Sequence, residues 1–225
     1  MSLISIVIPC YNESNSIPIL FQKAQYITSH YDIEILLLDN GSTDNTWELM
    51  QSAELNNKIR FIRIKQNRGY GYGIKFALKY ASSKYIGWTH ADLQTDLFDI
   101  VIAYEKIKLE SLKKNNQDLL AIKGVRYGRR LSEELISNGM SSIAKFLFFP
   151  WKTFEINAQP SIYHKSIKSH LSKFPDDYNF DIYAYLLSFR LKFKQIRFPV
   201  LFPSRTYGKS HWNINSVSKL FFIFN

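Results

Sequence analysis

Cysteine is nearly absent: Cys10 is the only one in 225 residues. No intramolecular disulfide can form, and a reducing compartment suits the chain. At the end of an apolar run, Cys10 reads as a small packing residue rather than a nucleophile. Long apolar stretches are also missing, for none reaches the roughly 18 residues of a membrane-spanning helix. The opening "MSLISIVIPCYNES" lacks a charged leading region, and its apolar run is too short for a signal peptide, so none is expected. There are no internal repeats, low-complexity tracts or linkers, which leaves one continuous domain over residues 1–225. Acidic residues are in deficit, with 19 Asp+Glu against 29 Lys+Arg and a formal charge of +10. Such a surface favours anionic partners: nucleic acid, an acidic membrane or phosphorylated small molecules. A recognisable nucleic-acid-binding motif is lacking, so no nucleic-acid partner is expected.

What is present is ample core material. Hydrophobic residues make up 46% and aromatics 16%, which excludes wholesale disorder. "LISIVIP" (3–9) and "IEILLLD" (33–39) are continuous apolar runs of the kind found in strands buried on both faces. "KIRFIRI" (58–64) alternates and reads as a third strand, "KYIGWT" (84–89) as a fourth and "DLLAIKG" (118–124) as a fifth. Between them lie helical patterns over residues 12–27, 45–54, 67–81 and 97–114, the second capped by Thr43 or Asp44. Strand and helix therefore alternate through residues 1–124, predicting an α/β fold with a mainly parallel sheet and helices on both faces. Ligands of such sheets bind at the carboxyl ends of the strands, where "CYNES", "DNGSTD" and "HADLQTD" fall.

From residue 125 the pattern changes. A basic, then largely helical stretch leads to "FEINAQPSIYHKS", read as loop and short strand. A helix over 178–191, an extended "FKQIRFPVLF" and a basic loop "PSRTYGKSHWN" follow. This half (125–225) is expected to build the other wall of a cleft. "KFLFFPW" (145–151) and "KLFFIFN" (219–225) read as core by default and as membrane-interface contacts in the sharper alternative.

Several residues can carry chemistry. Asp39, at a buried strand end, suits a base N–H or a ribose hydroxyl, or else merely caps its turn. Asp92 suits a hard divalent cation gripping a diphosphate, with Gln94 adding a carbonyl oxygen. A lone His-x-Asp such as His90–Asp92 is equally a solvated turn. "GYGYG" (69–73) lacks the Gly-Lys-Ser/Thr ending of a phosphate loop and the spacing of a dinucleotide fingerprint, so it reads as a turn entering a helix. Arg126, Arg129 and Arg130 form one basic group, and Arg205, Lys209 and His211 another. Arginine forks suit phosphate, though either group alone reads as a surface charge run.

Taken in order, "SIVIPCYNES", "ILLLDNGSTDNT", "NRGYGYGIKFAL" and "YIGWTHADLQTD" resemble family 2 glycosyltransferases of the GT-A fold. The branch resembled contains dolichol-phosphate mannose synthase and bacterial polyprenyl-phosphate sugar transferases. "KGVRYGRR", "INAQPSIYHKS", "FDIYAYLL" and "SRTYGKSHWN" are similar to that branch's later motifs, extending the likeness over residues 3–213. The resemblance implies a UDP- or GDP-linked sugar donor and Mg²⁺ or Mn²⁺. Pro9, Tyr11 and Glu13 would line the nucleotide pocket, Asp39 would hold base or ribose, and the 67–73 loop with Gly69 and Gly71 would shape the same pocket. Asp92 would ligate the metal, with Gln94 and His90 beside it. Arg126 and Arg130 would face phosphate, Gln159 would fall in the acceptor-side motif, and Arg205 and Lys209 would close over the site.

The departures from the pattern lie at His90, where the first aspartate of Asp-x-Asp is expected, and at Tyr183, where a glutamate is expected. "NAQPS" stands where the family has Asp-Pro-Gln-Ser-Gly. They leave the donor half better matched than the acceptor half. The function implied is metal-dependent, inverting transfer of a sugar to a polyprenyl phosphate in bacterial cell-surface glycan synthesis. The expected location is the cytoplasmic face of the cell membrane, with peripheral membrane association. The alternatives are a glycan hydroxyl acceptor, as in polysaccharide, O-antigen or capsule synthesis, and a nucleotide-sugar-binding protein without turnover. A hydroxyl acceptor requires a general base, for which Asp181 is the first candidate and Asp96 the second.

Overall fold

The computed structural model describes residues 2–54, 56–113, 119–127 and 156–203. Arg129, Arg130, Arg205, Lys209, His211 and both aromatic segments lie outside the described residues. Five strands and four α-helices alternate first: β1 (Ile4–Cys10), α1 (Ile17–His30), β2 (Ile33–Asn40), α2 (Thr46–Gln51), β3 (Ile59–Ile64), α3 (Tyr70–Leu78), β4 (Tyr85–Trp88), α4 (Asp99–Ser111) and β5 (Leu120–Tyr127). Then come β6 (Ser161–His164), a 3-10 helix (Lys165–Lys173), α5 (Asn179–Arg190) and β7 (Lys194–Leu201). The strands form one sheet in the order β3-β2-β1-β4-β6-β5-β7. Only β6 runs against its neighbours β4 and β5; the other pairings are parallel. The carboxyl ends of β1, β2, β4, β5 and β7 therefore share one edge, and the expected α/β sheet with helices on both faces is observed.

Side-chain alternation divides the core. Ile4, Ile6, Ile8, Ile33, Ile35 and Leu37 face α1, α2 and α4. Val7, Leu36, Leu38, Ile86 and Trp88 face α3, the 3-10 helix and α5. Burying each such Ile or Leu contributes about 1.5–3 kcal/mol, which is why β1 and β2 show no polar alternation. Among the described residues no helix is long and apolar enough to cross a membrane.

Helix boundaries differ from the pattern-based expectation by a few residues, most at the start of α1. α1 starts at Ile17 rather than Asn12. Residues 12–14 instead bond to the loop after β2: the Asn12 N–H donates to Ser42 Oγ (3.0 Å), Glu13 N–H to Thr46 Oγ1 (2.8 Å) and Ser14 N–H to Asp44 Oδ2 (3.2 Å). Short polar side chains offer the backbone these alternatives to a helix. Asp44 does accept from the Thr46 N–H (3.0 Å), although Asn45 occupies the N-cap position of α2. The 3-10 helix has no counterpart in the sequence reading.

The start of α4 carries a pH-sensitive group. Asp99 is 8% exposed, and its Oδ2 has no hydrogen-bond partner. Burial first, and the Asp96 carboxylate second, push Asp99 up to about 6. The folded protein thus binds this proton more tightly than the unfolded chain. The stability it contributes is fully present below about pH 4 and is lost as pH rises through about 6. Asp99→Asn is expected to be more stable than the parent above pH 7, by about 1 kcal/mol, with the helix N-terminus limiting the gain. Thermal unfolding across pH 4–8 checks this: the parent's decline between pH 4 and 6 should flatten in the variant.

Candidate active site

The site is assembled along the carboxyl edge of the sheet. At the ends of β1 and β2, Cys10 and Asp39 stand side by side in register. Asp39 is fully buried, and its Oδ1 accepts the Ser42 N–H at 2.9 Å. Its Oδ2 lies 3.1 Å from Arg63 Nε but has no hydrogen-bond partner, because the Arg63 N–H does not point at it. The Arg63 guanidinium sits 4.8 Å from the Trp47 ring centroid. Asp39 thus offers a buried acceptor beside an aromatic–guanidinium pair, which suits a ligand N–H or hydroxyl. Burial first, then Glu13, Asp39 and Asp44, raises the Cys10 thiol well above its usual range, so it stays protonated and packs as an apolar residue. Pro9, Tyr11 and Glu13 are half-buried at the same strand end. The Glu13 carboxylate accepts from Ser16 Oγ at 2.9 Å, bracing the entry to α1.

The glycine-rich turn enters α3 against another backbone. A Cβ on Gly69 would meet Asp176 O at 2.5 Å, and one on Gly71 would meet Pro175 O at 2.5 Å. Gly69 also has φ 113, a conformation that only glycine adopts without strain. The Tyr72 N–H donates to Asp176 O at 3.0 Å, and Lys75 Nζ reaches Phe174 O at 3.0 Å and Asp176 Oδ1 at 2.5 Å. Gly69 and Gly71 therefore seat the 174–178 turn on α3, a close approach that the spacing of "GYGYG" does not reveal.

After β4 the chain turns through His90, Asp92 and Gln94. Leu93 lies at φ 58, in the left-handed region uncommon for a non-glycine residue. Asp92 is 7% exposed, and its Oδ1 accepts the Gln94 N–H at 3.2 Å. The Gln94 amide nitrogen donates to Pro203 O at 3.2 Å, tying this turn to the chain leaving β7. Among the described residues no group of three or more His, Cys, Asp or Glu is placed to hold a metal. The donor set is one carboxylate flanked by an imidazole and an amide, which fits a divalent cation that takes its remaining oxygens from a diphosphate. Asp96 is occupied elsewhere: it bonds Lys23 Nζ at 2.8 Å and the Phe98 N–H at 3.1 Å. Burial pushes Asp96 up, but these partners outweigh it and hold the carboxyl below its usual range.

The second half of the chain delivers Gln159 and Asp181 to the same edge. Asp181, in the first turn of α5, is 5% exposed. Its Oδ1 accepts from Trp88 Nε1 at 2.8 Å and Gln159 Nε2 at 3.0 Å. Gln159 Nε2 also lies 3.5 Å from the Tyr70 hydroxyl. The Tyr70 ring stacks on Tyr178 at 5.1 Å and faces the His90 ring at 6.3 Å. Burial first, then the charge and hydrogen bond of Asp181, raises the Tyr70 hydroxyl well above the phenol range. Arg126, half-buried near the end of β5, lies 5.0 Å from the Phe202 ring centroid. Asp39, His90, Asp92, Gln94, Gln159, Asp181 and Arg126 thus occupy one edge, together with Pro9, Tyr11 and Glu13.

Sequence reasoning missed Trp88, Tyr70 and Lys123. Trp88 and Tyr70 read as core and turn residues, and nothing local marks their polar partners. Lys123 carried a signal: a lysine inside the apolar run "LLAIKGV" is fully buried and donates to Ser161 Oγ.

Residues 5–156 match the domain described as glycosyl transferase family 2. An undecaprenyl-phosphate 4-deoxy-4-formamido-L-arabinose transferase of Yersinia enterocolitica is 38% identical over 97 residues, 40% of this chain and 29% of that protein. A dolichyl-phosphate beta-glucosyltransferase of Dictyostelium discoideum is 29% identical over 106 residues, 43% of this chain and 32% of that protein. The matches thus span about a third of these relatives' length. Among solved structures, a Pyrobaculum calidifontis mannosyltransferase in complex with GDP-Man and Mn²⁺ superposes with a TM-score of 0.63 at 16% identity, covering 91% of this chain and 58% of that one. Glucosyl-3-phosphoglycerate synthase of Mycobacterium tuberculosis, with Mn²⁺ and UDP, gives 0.66 at 15% identity, covering 96% and 75%. At these identities the structural likeness bears on the fold.

Proposed function

Because the chain belongs to glycosyltransferase family 2 and has the GT-A fold, we propose that it transfers a sugar from a UDP- or GDP-linked donor to a polyprenyl-phosphate acceptor. The observation that carries this reading is the convergence on one sheet edge of Asp39, whose buried Oδ2 accepts no hydrogen bond, and Asp92, flanked in sequence by His90 and Gln94. Asp39 is assigned the base or ribose, with Pro9, Tyr11, Glu13 and the 67–73 loop around it. Asp92, Gln94 and His90 would hold Mg²⁺ or Mn²⁺, which when bound offsets charge developing on the diphosphate.

An acceptor phosphate oxygen attacks the anomeric carbon from the face opposite the leaving group. The bond from that carbon to the diphosphate oxygen breaks, the nucleoside diphosphate departs with the electron pair, and the configuration inverts. The acceptor is already anionic, so no protein base is required. Arg126, near the end of β5, is assigned the task of meeting phosphate, as are Arg130, Arg205 and Lys209, which lie outside the described residues. The acceptor class is supported by the two relatives whose names specify undecaprenyl and dolichyl phosphates. The charge of +10 suits docking at an acidic membrane face, where such lipids would serve cell-surface glycan synthesis.

The test is a panel of nucleotide sugars titrated with and without Mn²⁺, followed by product analysis with a short polyprenyl phosphate. One donor should bind more tightly with metal and yield a sugar–phosphate–lipid product. Transfer only to glycan hydroxyls would overturn the acceptor assignment. Binding without turnover on any acceptor would overturn the enzymatic reading.

A further inference from the structure

A carboxylate acting as a general base must meet the acceptor and be free to take its proton. Asp181 is built otherwise. Its Oδ1 already accepts from the Trp88 indole at 2.8 Å and the Gln159 amide at 3.0 Å. The same Gln159 Nε2 lies 3.5 Å from the Tyr70 hydroxyl. Trp88 is itself locked in place, its ring 5.0 Å from Phe180 and 5.5 Å from Tyr163. The two donors and the tyrosine beside them come from three regions of chain: Tyr70 from the start of α3, Trp88 from the end of β4 and Gln159 from the segment before β6. Trp88 is two residues before His90 and four before Asp92. Tyr70 sits between Tyr178 and His90.

We infer that Asp181 is a positioning residue rather than the proton acceptor: it draws Trp88, Tyr70 and Gln159 together and so sets His90 and the turn carrying Asp92 against the acceptor-side wall. This rests on the proposed transfer reaction and deepens it, because an acceptor that arrives ionised leaves Asp181 available for a positioning task.

The experiment compares Asp181→Asn, Asp181→Leu and Tyr70→Phe for donor KM, acceptor KM and kcat, using the donor and polyprenyl phosphate on which the parent turns over. Asparagine keeps an oxygen for Trp88 and Gln159. Asp181→Asn should retain kcat within about tenfold and show its loss mainly in acceptor KM, whereas Asp181→Leu should lose at least about 100-fold in kcat/KM. Adding Tyr70→Phe to Asp181→Asn should cost little more than either change alone. The inference is overturned if Asp181→Asn loses kcat as deeply as Asp181→Leu with both KM values unchanged, for that marks a base. Should the parent turn over no acceptor, the transfer reading fails, and the network is judged by urea unfolding of the same variants. Non-additive losses for Tyr70→Phe and Asp181→Asn then support it, and strictly additive ones overturn it.

Discussion

Asp92→Ala should lower sugar transfer by about 10³-fold at saturating donor, the scale on which losing a group that stabilises a charged leaving group is felt. The reason lies in the turn after β4. Leu93 adopts φ 58, a conformation that costs energy and persists only where its surroundings enforce it. The Asp92 Oδ1–Gln94 N–H bond is part of that enforcement, and Gln94 is tethered in turn to Pro203 O. The carboxylate is therefore held, nearly buried, on a turn that cannot swing freely. Alanine removes both the charge assigned to the metal and the bond that braces the turn. Nucleotide binding should lose its dependence on Mn²⁺ in the same variant, while a metal-free titration should change little. A variant within tenfold of the parent rate would rule out Asp92 as the ligand. Replacing His90 with aspartate tests the neighbouring position: an added negative charge should strengthen Mg²⁺ binding and narrow any preference for Mn²⁺. An identical metal profile would show that His90 is not a ligand.

Gly71→Ala is expected to destabilise the fold by about 2 kcal/mol, although alanine is the better helix former by about 1 kcal/mol. The added methyl would lie 2.5 Å from Pro175 O, 2.7 Å from Asp177 O and 2.9 Å from Asp176 C. All three are backbone atoms, which cannot rotate aside as a side-chain tip can. The 174–178 turn would have to retreat from α3, stretching the bond from the Tyr72 N–H to Asp176 O. That turn leads directly into Tyr178 and α5, so Asp181 and its partners should shift with it. Activity and nucleotide binding should both fall, because the 67–73 loop also borders the end of β2, where the Asn40 amide donates to Gly69 O beside Asp39. Urea denaturation gives the stability term, and parallel binding and rate measurements give the two losses. A variant as stable as the parent would mean that the turn yields easily and that Gly71 is not required for the approach.

Residues 3–124 were largely legible because their signals are local. β1 and β2 announce themselves as unbroken Ile, Leu and Val runs, and buried strands of a parallel sheet have no solvent face to encode. The turns after them are rich in Asn, Asp, Gly and Ser, whose side chains satisfy their own backbone. Alternation of such runs with helical periods determines a sheet with helices on both faces, and the strand ends then collect Asp39 and Asp92. The start of α1 was less legible because residues 12–14 bond to the loop after β2 rather than to their own turn.

The chain's own order of motifs determined its family and placed the donor-side residues on one edge. Only the tertiary structure decided what Asp181 touches. Its bond to Trp88 joins residues 93 apart in sequence, one inside an apolar strand and the other in the first turn of a helix. No periodicity links such positions, since they meet only when α5 packs across the sheet. The same holds for Gly69 and Gly71: composition marks a turn, but the carbonyl oxygens that forbid a side chain there come from residues 175–177. Local sequence specifies local conformation and which faces seek burial. Which polar groups then meet inside the packed whole depends on the full set of long-range contacts, and these exist only in the folded state.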